Sequence, residues 1–391
     1  MGWIGRPVIK VLSGIRRCGK SSILLRCKER MVAQGIPESS IMQINMEMLV
    51  NERFQDIHLL NAEVQEAIKK HGGKVYLFLD EVQEIPNWEK LAGSLLAEGA
   101  ADLTVTGSNA HLLAGELATL LSGRYVELPV YPLSFREYCE FFSLDAKRES
   151  FLKFLQTGGF PGLLALDQKE EARRQYLEAL LDSIVLRDVV SRHNLRDVDL
   201  LRRILVFVAD SVGSPVSARS LAAFLKSQRR SVSVESIYNY LDHLAGAFVV
   251  DQVPVYDVRG KRHLETGGKI YFADLGLRHA LLGYRSSDIG QYLENIVYLD
   301  LKQRGWKVSV GRLGEWEVDF VAHRGDKKCH VQVAYLTPDK ETLERELRPM
   351  RAIPDNHPKY LVTMDDIPSS SEEGVQRMPI EQFLLRQGEF D

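Results

Sequence analysis

The chain has 391 residues, room for two or three domains, with a formal net charge of −3, 26% charged and 45% hydrophobic residues. These are the fractions of an ordinary globular protein, and they exclude a low-complexity chain; no apolar run approaches the ~20 residues of a membrane-crossing helix, so no membrane partner is expected. Four cysteines (Cys18, Cys27, Cys139 and Cys329) lack C-x-x-C spacing, which excludes a zinc ribbon, and without a signal peptide's apolar core the expected compartment is the cytoplasm.

In chain order, "VIKVL" reads as a short buried strand, and "SGIRRCGKSS" follows it directly. Gly14, Gly19, Lys20 and Ser21 fit the phosphate-loop pattern G-x-x-x-x-G-K-[ST] in full. The candidate nucleotide-binding loop is Gly14, Ile15, Arg16, Arg17, Cys18, Gly19, Lys20, Ser21 and Ser22. Its glycines let successive N–H groups turn toward an anion, and the helix start adds partial positive charge. Lys20 then reaches the β- and γ-phosphates, and Ser21 ligates Mg2+. Ile23, Cys27 and Met31 recur at helical spacing until Gly35 and Pro37 stop the helix. Cys18, beside Lys20 and Arg16 at a helix start, is either a thiol of lowered pKa or a small inert filler.

The run Val75–Leu79 reads as a fully buried parallel strand that delivers Asp80 and Glu81 to its carboxyl end, where open α/β sheets bind ligands. Asp80 is the expected Mg2+ holder, and Glu81 the group that orients or deprotonates the attacking water. A third strand, "LTVTGSNAHLL", ends in Thr106, Gly107, Ser108 and Asn109, with Asn109 placed to sense a γ-phosphate.

The set "GIRRCGKSS", "YLFLDEVQEIPNWEKL", "VTGSNAHLL" and "LSGRYVELPVYPLSFREY" resembles a prokaryotic family in which an AAA-type, STAND-related P-loop ATPase precedes a C-terminal domain of unknown function. The resemblance implies ATP as the nucleotide and Arg124 as the arginine that approaches its γ-phosphate. It also implies a helical extension after the ATPase core and a restriction-endonuclease-like fold near the C-terminus. Relatives usually carry a helix before the first strand, which in AAA-type ATPases helps cover the adenine. The short "MGWIGRP" lead predicts a more open adenine face and weak base discrimination.

Beyond the core, apolar residues from Tyr176 to Val185 line one helical face. Three helices follow, with Ser217 and Ser233 as N-caps of the last two, and then a hairpin; this order reads as a winged helix. Ser233, Glu235, Ser236, Tyr238, Asn239 and His243 lie on the polar face of the third helix, and Arg259, Lys261 and Arg262 on the hairpin tip. Nine Lys and Arg against six Asp and Glu between Leu201 and Gly268 make this stretch locally basic, which suits DNA, although winged helices also bind proteins.

Helix and three strands from Tyr292 onward follow the order of a nuclease-like core. Glu294, Glu317 and Asp319 form a candidate vestigial metal site. Gln332 and Ala334 stand where glutamate and lysine are wanted, so nothing obvious stabilises a hydroxide or the phosphorane charge. The expected architecture is α/β: a P-loop NTPase core with helices on both sheet faces (1–135), a helical extension (136–198), a winged helix (199–268), a connector (269–290), the nuclease-like domain (291–365) and a tail (366–391). The expected activity is an ATP-hydrolysing switch that couples nucleotide state to DNA, a protein partner or a second copy of the chain. An ATP-dependent nuclease and an ATP-holding interaction module are the alternatives.

Overall fold

The computed structural model describes residues 2–110, 121, 123–166 and 169–386, and only the backbone at 265–267; the "HLL" that closes the third strand motif lies outside the described residues. Two compact units result. The first takes the chain up to Tyr131 together with Gly246–Phe248, the second Pro132–Ala245 and everything from Val249 on.

In the first unit, β1 (Ile9–Ser13), β2 (Ile41–Asn45), β3 (Val75–Asp80), β4 (Ala101–Gly107) and β5 (Tyr125–Pro129) form a parallel sheet ordered β2-β3-β4-β1-β5. The strands β1 and β4 are buried along their whole length and β3 almost so; β3 reads accordingly as a nearly continuous apolar run, whereas β4 alternates the buried Asp102, Thr104 and Thr106 with apolar residues. Val11, Leu77 and Leu79 face one core, which α2 (Ile57–His71) and α3 (Trp88–Glu98) cover with Leu60, Val64, Trp88 and Leu95. Leu12 and Phe78 point the other way, onto Leu24 and Met31 of α1 (Lys20–Ala33). The period-two alternation of a strand thus loads both faces. The buried stripe of α1 differs from expectation by one residue: Leu24 is fully covered, whereas Ile23 is 37% exposed. At ~100° per residue that shift turns the apolar stripe toward Phe78 and leaves Ile23 at its edge.

The second unit begins with helices α4 (Phe135–Phe141), α5 (Arg148–Thr157) and α6 (Glu170–Ser183). The apolar face runs on from α6 into a π-helical segment, Ile184–Ser191, where Ile184, Val185 and Val189 are buried. Helices α7 (Val198–Asp210), α8 (Ala218–Ser227) and α9 (Val234–Gly246) follow. Ser217 caps α8 through a capping box, and Ser233 Oγ accepts the Ser236 N–H at 3.0 Å.

The hairpin β6 (Val250–Asp257) and β7 (Arg262–Phe272) precedes α10 (Leu275–Leu282) and α11 (Ile289–Gln303). Strands β8 (Lys307–Leu313), β9 (Trp316–Arg324) and β10 (Lys327–Ala334), helix α12 (Lys340–Arg351), and strands β11 (Lys359–Thr363), β12 (Ser370–Glu372) and β13 (Val375–Pro379) come next, before α13 (Ile380–Leu385). The hairpin is no free-standing wing. Val255, Tyr256 and Asp257 of β6 pair in parallel with Val310, Gly311 and Arg312 of β8. One eight-stranded sheet, β12-β13-β11-β10-β9-β8-β6-β7, therefore runs from the hairpin through every later strand. Pro254 fits because it sits at the bulge between Val253 and Val255, where no ladder N–H is needed. Lys327 and Lys328 open β10, and Lys328 pairs with Asp355 at 2.9 Å. Among the described residues no helix is long and apolar enough to cross a membrane.

Candidate functional site: a phosphate loop facing two carboxylates

Because all five strands of the first unit run the same way, the residues that leave β1, β2, β3 and β4 gather on one edge. Gly14 leads out of β1, and a Cβ there would stand 2.1 Å from the Val130 carbonyl oxygen, so the loop closes onto this neighbour only as glycine. Gly19 takes a left-handed conformation (φ 111°) and ends the loop at the first turn of α1, a turn with no acidic residue in it. The buried Lys20 Nζ donates to the Gly14 and Ile15 carbonyls at 2.9 and 3.0 Å and lies 3.7 Å from Glu81 Oε1. Ser21 and Ser22 face solvent one and two residues on, and so does Arg17. Arg16 is buried and pairs with Glu47, which follows β2.

Asp80 ends β3 fully buried. One of its oxygens accepts the Thr106 hydroxyl, and the other accepts Asn45 Nδ2 at 3.0 Å. Thr106 also accepts the Glu81 N–H at 2.9 Å, so this one hydroxyl locks both acids to β4. Glu81 turns into the left-handed region (φ 57°), which aims its carboxylate at Lys20, Ser108 and Gln83. The Ser108 hydroxyl donates to Glu81 Oε2 at 3.1 Å. Asn109, two residues past β4, lies on this same edge.

Of the residues expected from sequence, the loop from Gly14 to Ser22, Asp80, Glu81 and Asn109 therefore share one edge. Arg124 does not. It directly precedes β5, whose register sets Tyr125 beside Ile9 and Pro129 beside Ser13, and the Arg124 carbonyl accepts the Ile9 N–H. That places Arg124 roughly 16 Å back along the strand from the phosphate-loop edge, at the rise of a parallel strand. From there Arg124 does not reach a nucleotide held by its own loop. The sequence reading also passed over Asn45. The available signal was positional: a polar residue ending any strand of a parallel sheet joins the ligand edge.

Cys18 resolves as filler. Its thiol is buried and donates to the Val130 carbonyl at 3.3 Å. Burial pushes its pKa up, and this outweighs the nearby Lys20 ammonium. The loop's charge does not activate a thiol that has no access to water.

In the second unit Glu294 (α11), Glu317 and Asp319 (both β9) do come together, but around a lysine that the sequence reading left in the connector. Lys269 of β7 places Nζ 2.8 Å from Glu294, 2.6 Å from Glu317 and 3.4 Å from Asp319. Burial and the Asp319 charge raise the Glu294 pKa to about 8, opposed by Lys269; burial also raises Asp319. Burial alone would lower the Lys269 pKa, but the three carboxylates reverse this and hold it above the ordinary lysine value. Gln332 stands where the expected glutamate is missing; its Oε1 accepts the Asp319 N–H and its Nε2 donates to Glu346. Among the described residues no group of three His, Cys, Asp or Glu is arranged to hold a metal ion. Here the physical reason is the ammonium between the acids, which corrects the expected vestigial metal site.

A parallel sheet whose first strand runs through a glycine-bounded loop into α1, with Asp80 and Glu81 on the adjacent edge, defines the AAA-type P-loop NTPase class. Residues 6–139 match the AAA domain family, and residues 148–288 match a domain of unknown function (DUF8612). Along 382 residues the chain is 35% identical to an uncharacterised protein of Haemophilus influenzae, covering 97% of this chain and 94% of that one. It is 31% identical over 360 residues to the uncharacterised protein MJ1544 of Methanocaldococcus jannaschii, covering 87% and 77% respectively. A solved Walker-type ATPase of Pyrococcus abyssi aligns over 71% of this chain and 91% of its own, with 17% identity and a TM-score of 0.47. The chain belongs to the same family as the Haemophilus and Methanocaldococcus proteins, and its first third is an AAA domain.

Proposed function

We propose that the chain is an ATP-hydrolysing molecular switch that couples the nucleotide state of its first unit to DNA or partner binding by its second. The observation that carries this reading is the convergence of Lys20, Asp80 and Glu81 on one sheet edge, with Thr106 locking the two acids. The residues present fit Mg-ATP: a loop that admits no side chain at Gly14, an unblocked helix start, a buried lysine and a buried aspartate. Backbone N–H groups of the loop and Lys20 would take the phosphates, while Ser21 and Asp80 would hold Mg2+. A metal held there would supply charge neutralisation of the phosphates. Glu81 orients the attacking water and receives its proton; Ser108 and Gln83 hold its carboxylate until then. Asn109 reads the γ-phosphate end of the site. Asp80 and Glu81 favour turnover over a purely structural ATP site.

Lys20→Ala is expected to weaken ATP binding roughly tenfold to a hundredfold, the loss of a hydrogen bond to a charged group. Isothermal titration with a non-hydrolysable ATP analogue measures it, and unchanged affinity would remove this loop as the nucleotide site.

For the second unit, Ser233 just before α9 and Glu235, Tyr238 and Asn239 on it are exposed, and the hairpin tip exposes Arg259, Lys261 and Arg262. The three cations of the tip are the groups that would meet DNA phosphates. A triple Ala variant of the tip is expected to lower affinity alike over unrelated duplex sequences. The slope of log affinity against log salt should fall by roughly 0.9 per lost phosphate contact. An unchanged slope would assign the tip to a protein partner.

A further inference from the structure

The acidic cluster of the second unit contains its own cation. Lys269 is 3% exposed, and its Nζ has three hydrogens and three carboxylate neighbours, at 2.8, 2.6 and 3.4 Å. Two residues further along β7, and so on the same face, Tyr271 donates its hydroxyl to Glu294. Asp319 is fixed from the opposite side, where Oδ2 accepts the Val333 N–H at 2.8 Å. The backbone of Lys269 is pinned as well: it pairs with Val253 in β6 and bridges to Pro215. The ammonium is therefore not a surface side chain that happens to fold inward.

We propose that Lys269 is a built-in cation whose ammonium occupies the centre that Glu294, Glu317 and Asp319 would otherwise offer to a divalent metal ion, so that a metal site appears only when this ammonium is removed. Oxygens surrounding one point at 2.6–3.4 Å need only a small contraction to reach the ~2.0–2.6 Å of Mg2+ or Ca2+ coordination. An ammonium and a metal ion cannot share that point. A tethered ammonium in the middle of a paired strand is present at high effective concentration and competes with any free ion. Taking the ammonium away leaves the Glu317 and Asp319 oxygens at this point without their cation, and that uncompensated charge is what a metal ion would meet. The wild-type cluster has no place for a metal-bound hydroxide, so it cross-links α11, β7 and β9 and does not cut phosphodiesters. None of this depends on the ATP reading, since every residue involved lies in the second unit.

The test uses the full chain without nucleotide and Tb3+ as the probe, whose luminescence Tyr271 would sensitise from beside Glu294. The parent and Asp319→Asn are expected to give equal titrations, because the phosphate loop is common to both. Lys269→Ala is expected to bind Tb3+ at least about tenfold tighter than the parent, a difference of ~1.4 kcal/mol. Adding Asp319→Asn to it should abolish that gain. Lys269→Gln, which keeps most of the side chain's bulk and drops its charge, runs alongside in case the shorter residue does not fold, and carries the same expectation. A parent that binds Tb3+ tenfold tighter than Asp319→Asn, or that nicks plasmid DNA with Mn2+ in a manner lost on that substitution, would overturn the proposal. So would a folded Lys269 variant that gains no affinity.

Discussion

Glu81→Gln is expected to bind ATP about as tightly as the parent while turning it over roughly 10²- to 10⁴-fold more slowly, the usual contribution of a positioned general base. The amide keeps the size of the side chain and can still meet Ser108, but it takes no proton. Glu81 stands 3.7 Å from Lys20, and its backbone is set by Thr106 in a left-handed conformation that a non-glycine residue adopts at a cost of ~1–3 kcal/mol. Single-turnover phosphate release separates chemistry from product dissociation, and a nucleotide-binding titration run in parallel shows that the site survives. Equal release by variant and parent would take Glu81 out of the mechanism.

Lys10→Met is expected to destabilise the first unit by ~3–5 kcal/mol, the penalty for leaving a buried charge without its partner. The Lys10 ammonium meets Asp102 at 2.7 Å where both side chains are essentially without solvent, and it also donates to the Val8 carbonyl. Burial lowers the Lys10 pKa, and Asp102 opposes that shift. Asp102 keeps the Gly5 N–H at 2.7 Å and a distant Lys74 at 3.8 Å, too little to balance a carboxylate inside the sheet. The double variant Lys10→Met/Asp102→Leu should recover most of the loss, because a buried ion pair exchanged for apolar groups of similar volume is close to neutral. Calorimetry suits the measurement, since it records the transition of each unit separately where a single two-state fit fails. A loss below ~1 kcal/mol for the single variant, the range of exposed pairs, would show that water reaches Asp102.

The first unit was legible from local pattern. Phosphate-loop spacing is short-range, and apolar runs in β1 and β3 encode burial on both faces. A parallel sheet then sends every strand's carboxyl end to the same edge, and that puts Asp80, Glu81 and Asn109 there from sequence alone. Three things depended on tertiary structure, each because it rests on pairing between distant segments. Arg124 sits one residue before a strand, and only the β1–β5 register shows that this end faces away from the loop. Asn45 and Thr106 are ordinary polar residues until strand order sets β2 and β4 on either side of β3. Lys269 looked like part of a connector, because a lysine's partners 25 and 50 residues further along leave no periodic trace between them. The hairpin's membership of the eight-stranded sheet brings that lysine to the acids, and the same non-local pairing decides that the cluster holds an ammonium where the sequence left room for a metal.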